Sequence, residues 1–169
     1  MEMLELIHTR RSIRKYQEKP VEMDMIKEII SAGTSAPSAG NQQPWHFVVI
    51  TDRGLLAKVP DIHPHAKMAG EAPAAILVCG DPSLEKHKGY WVQDCAACTE
   101  NILLAVHAKG LGAVWTGIYP RDERAENFRK LFNIPGGVIP FAFIPIGYPA
   151  QEADRVDRYN EERVHYDRW

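Results

Sequence analysis

Pro37-Ser38-Ala39-Gly40-Asn41-Gln42-Gln43-Pro44-Trp45, running straight into His46-Phe47-Val48-Val49-Ile50-Thr51, is the stretch whose reading decides the fold. From Thr34 to Pro44 the residues are small, polar or proline, which reads as a structured loop. The β-branched run behind it predicts a strand over 46–51. Upstream, Met25, Ile26, Ile29 and Ile30 recur at helical spacing before Gly33, predicting a helix over 22–33 with the glycine as its stop. A short helix over 3–8 precedes it. Downstream come a short helix over 55–59 and a fully apolar strand over 74–79. The longest helix is predicted over 91–109, with Val92, Ala96, Thr99, Leu103 and Val106 on one face and Gly110 closing it. Its many small residues predict a central position. A strand over 112–118 and a helix marked by Ala125, Phe128 and Phe132 follow. In a last strand over 138–146, Pro140 and Pro145 predict an edge position or bulged ends. Helices and strands mix without a strict βαβ rhythm, so the expectation is an α+β layered fold.

Composition narrows the function classes. The 169 residues are 45% hydrophobic and 25% charged, ordinary values for a compact globule, so one domain over 1–169 is expected. Lys+Arg of 20 against Asp+Glu of 22 gives a net charge of −2, which argues against a nucleic-acid partner. No apolar run approaches ~20 residues, so no membrane span is expected. Met1-Glu2-Met3-Leu4-Glu5 lacks the basic start and apolar stretch of a signal peptide, and the cytoplasm is the expected location. Residues 149–169 differ from the rest: ten of the 21 are Asp, Glu or Arg, so they cannot build a core. Tyr159, Val164, Tyr166 and Trp169 nevertheless predict an arm docked on a surface, some of it belonging to another subunit.

Three segments carry donor groups. Arg10-Arg11-Ser12-Ile13-Arg14 packs three guanidiniums and a hydroxyl together, a set suited to a phosphate and also to a solvated basic turn. In the 37–45 loop, small residues allow a flat ligand close to the backbone, while Ser38, Asn41 and Gln43 offer hydroxyl and amide groups. Trp115-Thr116-Gly117-Ile118-Tyr119-Pro120 ends a strand, where ligands of sheet proteins tend to bind. Cys95 and Cys98 form a C-x-x-C inside a helical stretch, which reads as core packing and not as a metal or dithiol site. His63 and His65 read as loop residues of mixed role. No metal site is expected. No G-x-G-x-x-G or Walker loop is present, which disfavours a dinucleotide held in a Rossmann pocket.

Together these segments resemble the FMN-dependent nitroreductase family, through Arg10–Arg14, the Pro37-Ser38 to Asn41 to Gln43-Pro44-Trp45 loop, the strand at Ala72-Pro73-Ala74-Ala75-Ile76-Leu77-Val78-Cys79, Thr116-Gly117 and the basic-aromatic tail. The resemblance covers nearly the whole chain. It implies a sandwich of helices around a mixed or antiparallel sheet, an intertwined homodimer and two FMN sites at the subunit interface. By that resemblance Arg10, Arg11 and Ser12 hold the phosphate and ribityl end, and Arg14 lies near the flavin pyrimidine edge. Pro37, Ser38, Asn41 and Gln43 reach the flavin from the partner, and the Thr116–Gly117 backbone faces N5. A tail arginine, Arg158, closes on the phosphate. No side chain is cast as a catalytic acid or base, since the flavin carries the chemistry. The implied reaction is ping-pong electron transfer from NAD(P)H to a nitroaromatic, quinone or similar small acceptor, with Pro64, His65 and Lys67 bordering the acceptor pocket. The alternatives on this scaffold are a flavin-sequestering protein without turnover, and a flavin-modifying or dehalogenating enzyme.

Overall fold

The run Ala74-Ala75-Ile76-Leu77-Val78-Cys79-Gly80 is buried at every residue, which requires a layer on each face of the sheet it belongs to. It forms β2 (Ala74–Gly80) in a computed structural model that describes residues 2–169; Met1 of the acidic amino-terminal stretch lies outside the described residues. Ala74, Ile76 and Val78 join a core with Ile26 and Ile29 of α2 (Met23–Thr34) and Cys95, Cys98 and Ile102 of α4 (Trp91–Ala108). Ala75, Leu77 and Cys79 join the opposite core, with Leu56 and Val59 of α3 (Arg53–Ile62) and Ala125 and Phe128 of α5 (Asp122–Phe132). This is the strand period of two, with both faces apolar. The predicted α+β sandwich is the observed one. Among the described residues no helix is long and apolar enough to cross a membrane.

β2 pairs antiparallel with β1 (Trp45–Ile50) on one side and β5 (Ile139–Gly147) on the other. The far side of β5 carries β3 (Gly112–Ala113) and β4 (Thr116–Gly117), both antiparallel. The strand order is β1-β2-β5-β3, and a parallel bridge from Ser12 to Ala113 extends that last edge. α1 (Met3–Thr9) buries none of its residues.

Three expectations need correction. β5 is interior and not an edge, although it does bulge: Val78 pairs with Ala142 and Cys79 with Pro140, leaving Phe141 as the extra residue. The strand expected over 112–118 is two short pieces. Their register with β5 is continuous, and the residues skipped, Val114 and Trp115, stand opposite Pro145 and Ile144. Pro145 has no N–H to give a ladder, and the sheet accommodates it where one neighbour leaves the ladder. Gly33 is not a stop, since α2 runs one residue past it. Within one chain the arm is ordered with Tyr159, Tyr166 and Trp169 exposed, and its contacts include Gln151 to the Arg14 N–H, Arg11 to the carbonyls of Asp154 and Val156, and Arg155 to Glu5.

Gly33 instead marks the close approach of two helices. A Cβ there would stand 2.7 Å from Ile102 Cγ1 and 3.2 Å from Cys98 Sγ, both on α4. In an open helix Gly→Ala stabilises by up to about 1 kcal/mol. Here Gly33→Ala is expected to destabilise by about 1–3 kcal/mol through overpacking, read as a lower urea midpoint. A raised midpoint would show that α4 moves away freely.

Candidate functional site

Where the chain leaves the ladder at Val114 and Trp115 and returns at Thr116–Gly117, a cavity of about 310 Å³ opens. That volume falls within the range of small-molecule sites. Arg14, Arg121 and Arg124 line it together with His63 and His65, and among the described residues no carboxylate side chain does. Its aromatic wall is Trp115 and Tyr119, set by the bulge of β5: the ring of Phe141 lies 5.7 Å from Trp115 and 6.5 Å from Tyr119. Gly117 is exposed on the floor, and a Cβ built on it would meet nothing within 4 Å. A flat ligand can therefore approach the backbone there.

The floor is held by hydrogen bonds. The Thr116 hydroxyl donates to the Phe143 carbonyl at 2.6 Å. The Gly117 carbonyl accepts from Arg124 Nη1 at 2.7 Å and lies 3.0 Å from His63 Nε2. The His65 N–H lies 3.3 Å from His63 Nδ1. A carbonyl on one side and an N–H on the other assign the proton to Nε2 and leave Nδ1 as acceptor. Burial, and secondarily the charge of Arg124, push the His63 pKa down and keep this buried imidazole neutral.

The basic segment divides its work. Arg14 reaches the cavity, and its backbone N–H is held by Gln151 Oε1 at 2.9 Å. Arg10 pairs with Glu100 at 3.4 Å. The Arg11 guanidinium is committed to carbonyls, at 2.6 Å to Arg10 and 2.6 Å to Asp154, so it ties the arm to the body of the chain. Arg10 and Arg11 also line a recess with His107, whose pKa is lowered by burial and then by these two arginines. Ser12 lies on the same edge, bridged to Ala113.

The 37–45 loop lies at the other edge, feeding β1. Its order comes from a buried carboxylate on α4. Asp94 accepts from the Ala39 N–H at 2.9 Å and from Gln42 Nε2 at 2.6 Å. Gln42 Oε1 in turn accepts from the N–H groups of Lys86 and His87. This scaffold holds Asn41 (φ 54°) and Gln43 (φ 47°) in left-handed backbone that side chains rarely adopt. Pro37, Asn41 and Gln43 are exposed, and Ser38 is half-buried. The loop is thus built to present polar groups outward. Three strand spacings, roughly 14 Å, separate β1 from the edge that carries Ser12, so one chain does not bring the loop and the arginines together.

Of the residues expected around the acceptor, His65 lines the cavity. Pro64 lines a neighbouring cleft of about 600 Å³ that shares Arg121 and Arg124 with it, and Lys67 lines neither. Arg158 is exposed on the arm. Sequence reasoning missed Asp94, Gln42, Arg121 and Arg124. Asp94 was detectable: Trp91, Asp94, Cys95, Cys98 and Ile102 sit at i, i+3, i+4, i+7 and i+11 on the buried stripe, where a carboxylate needs partners. Replacing Asp94 by Asn puts an amide donor against either Gln42 Nε2 or the Ala39 N–H, and Gln42 cannot flip without losing Lys86 and His87. Asp94→Asn is therefore expected to cost on the order of 2–3 kcal/mol in chemical unfolding despite matching the side chain's shape. A change below about 0.5 kcal/mol would contradict this network.

The profile of the nitroreductase family matches residues 7–67 and 61–148. A protein of Methanothermobacter thermautotrophicus named "Putative NADH dehydrogenase/NAD(P)H nitroreductase" is 51% identical over 169 residues, covering 100% of this chain and 88% of its own. A crystal structure of a protein of the same name from Parabacteroides distasonis superimposes with a TM-score of 0.94 at 41% identity, covering 98% of each chain. A Desulfovibrio desulfuricans structure in complex with FMN matches with a TM-score of 0.84 at 30% identity, covering 98% of this chain and 96% of its own. By profile, sequence and fold alike, the chain belongs to the nitroreductase family.

Proposed function

We propose that the chain binds FMN in the cavity over Gly117 and works as an oxidoreductase, taking reducing equivalents from NAD(P)H and passing them to a nitroaromatic, quinone or similar small acceptor. The observation that carries this reading is the bare glycine floor ringed by guanidiniums and free of lining carboxylates. A flat ligand that becomes anionic on reduction fits both properties. The FMN held by the Desulfovibrio relative and the name of the archaeal one support the assignment.

Bound there, FMN supplies the hydride and electron chemistry, and the chain supplies position and charge. Arg14 stabilises negative charge growing at the pyrimidine edge. Thr116 and Gly117 set the distance of closest approach. Arg10 and Ser12 take the phosphate and ribityl end, while Arg11 tethers the arm that carries Arg158 toward the phosphate. The 37–45 loop lies too far from these groups in its own chain, so Pro37, Ser38, Asn41 and Gln43 act on the flavin of a second copy. The surface that a homodimer would cover is present: Met3, Leu4 and Ile7 on α1 and Val156, Tyr159 and Tyr166 on the arm are exposed apolar groups without a layer over them. His65 and Pro64 border the acceptor's approach, with Lys67 beyond them. We read the chain as one domain over 1–169, with 149–169 as its interface arm.

The purified protein is expected to be yellow and to release FMN and not FAD. With no G-x-G-x-x-G fingerprint to hold the nicotinamide in a Rossmann pocket of its own, donor and acceptor take turns against the flavin, so double-reciprocal plots at several acceptor concentrations should be parallel. Arg14→Ala should slow flavin reduction by NAD(P)H about tenfold or more while weakening FMN binding less. A colourless protein that cannot be reconstituted with FMN would end this reading; intersecting lines would end the shared-pocket mechanism.

A further inference from the structure

His63 takes no part in the scheme above, yet it is a buried titratable group bonded directly to the cavity floor. It is 1% exposed, and its ring packs edge-on against Phe128 of α5 at 6.0 Å and against His65 at 6.1 Å. Those contacts alone would describe a histidine filling the core. Its hydrogen bond says more. The acceptor it has found is the carbonyl of Gly117, the one floor residue with open space where a Cβ would be.

We propose that His63 is a positioning residue: with Arg124 it clamps the Gly117 carbonyl and holds the edge of backbone against which the flavin lies, an inference that rests on the FMN reading above. The need for a clamp follows from the glycine. A side chain at 117 would intrude on the ligand, so the position must be bare, but a bare residue is the least restrained of all. Gly117 also stands at the end of a two-residue strand just after a break in the ladder, with little regular pairing to hold it.

The restraint comes from outside the sheet. Two donors from different elements, His63 beyond the end of α3 and Arg124 on α5, converge on one carbonyl and fix the plane of the 117–118 peptide. The same peptide's N–H, on Ile118, donates to the Phe141 carbonyl at 3.0 Å. Donors on the carbonyl polarise the peptide and strengthen that bond. On the other side, the Thr116 hydroxyl anchors the preceding residue to Phe143. The bare residue is held at both ends. The His65 N–H bond to Nδ1 selects the tautomer that lets Nε2 donate, so His65 acts on the floor through His63 as well as lining the cavity.

The test uses His63→Ala, His63→Gln, whose amide nitrogen can replace Nε2 as a donor, and Arg124→Leu, which removes the other half of the clamp from a less buried site. In protein stripped of flavin, amide hydrogen exchange at Ile118 is expected to quicken about tenfold in His63→Ala and in Arg124→Leu, and to stay within about threefold of the parent in His63→Gln. In protein loaded with FMN, His63→Ala is expected to slow single-turnover reduction by NADH about tenfold while FMN affinity changes less than about threefold; His63→Gln restores the rate. Unchanged exchange at Ile118 in both His63→Ala and Arg124→Leu overturns the clamp. So does a glutamine variant no better than alanine, or a loss of FMN affinity as large as the loss of rate, since either makes His63 ordinary packing. Failure of the parent protein to take up FMN would sink the functional reading instead, and the exchange measurement would still judge the clamp on its own.

Discussion

β5 lies between two partners, and one of those partnerships is broken at Pro145. The break is the constraint from which the candidate site follows. Gly112–Ala113 and Thr116–Gly117 keep one register along β5, while the residues between them stand opposite Ile144 and Pro145 without pairing. An unbroken strand there would close the sheet edge with side chains alternating on both faces. Broken, it turns Trp115 to the cavity wall and leaves Gly117 as a short end that other elements must hold. Tyr16 fits the same region: its hydroxyl donates to the Ile13 carbonyl at 2.7 Å and lies 3.2 Å from that of Pro145, and burial pushes its pKa up. The bulge at Phe141, two residues from the β4 pairing at Phe143, directs that ring toward Trp115 and Tyr119.

The sheet then acts as a spacer. Its two edges carry the two polar groups that the resemblance assigns to one flavin, and the width of the sheet keeps them apart in a single chain. In the proposed dimer each loop would serve the other copy's cavity. The buried Asp94 carboxylate matters in that light, because it holds a loop whose outward residues have no ligand within their own chain. Strain at Asn41 and Gln43 is maintained by this network on α4, away from the surface they present.

The layers were legible in the sequence because periodicity reports burial. β2 reads as uniformly apolar since both of its faces are covered, and α2 and α4 show helical spacing since one stripe of each meets the core. What could not be read was set by tertiary contact. Pro140 and Pro145 pointed to an edge or to bulged ends; the bulge is there, beside Pro140, but with a gap in the neighbouring strand it admits the prolines to an interior strand. Gly33 looked like a stop until the nearness of Ile102 showed it to be a contact. The basic segment was visible as a cluster, but its division into Arg14 at the cavity, Arg10 on Glu100 and Arg11 on the arm depends on partners far away in sequence. Arg121, just before α5, and Arg124, in its first turn, carried no local signal beyond their spacing. Cys95 and Cys98 are core residues, as their place in the helix implied, and burial raises the Cys98 thiol to about 12.

The central claim is that two copies of this chain build one flavin site from a glycine floor and a borrowed loop. A crystal structure of the protein loaded with FMN tests it most directly. The account predicts the flavin ring over Gly117 with Arg14 at its pyrimidine edge and the phosphate toward Arg10 and Ser12. It also predicts that loop residues 37–43 of the second copy reach the same ring. A flavin seated elsewhere on the surface, or one over Gly117 in a monomer with the loop far from it, would contradict the account.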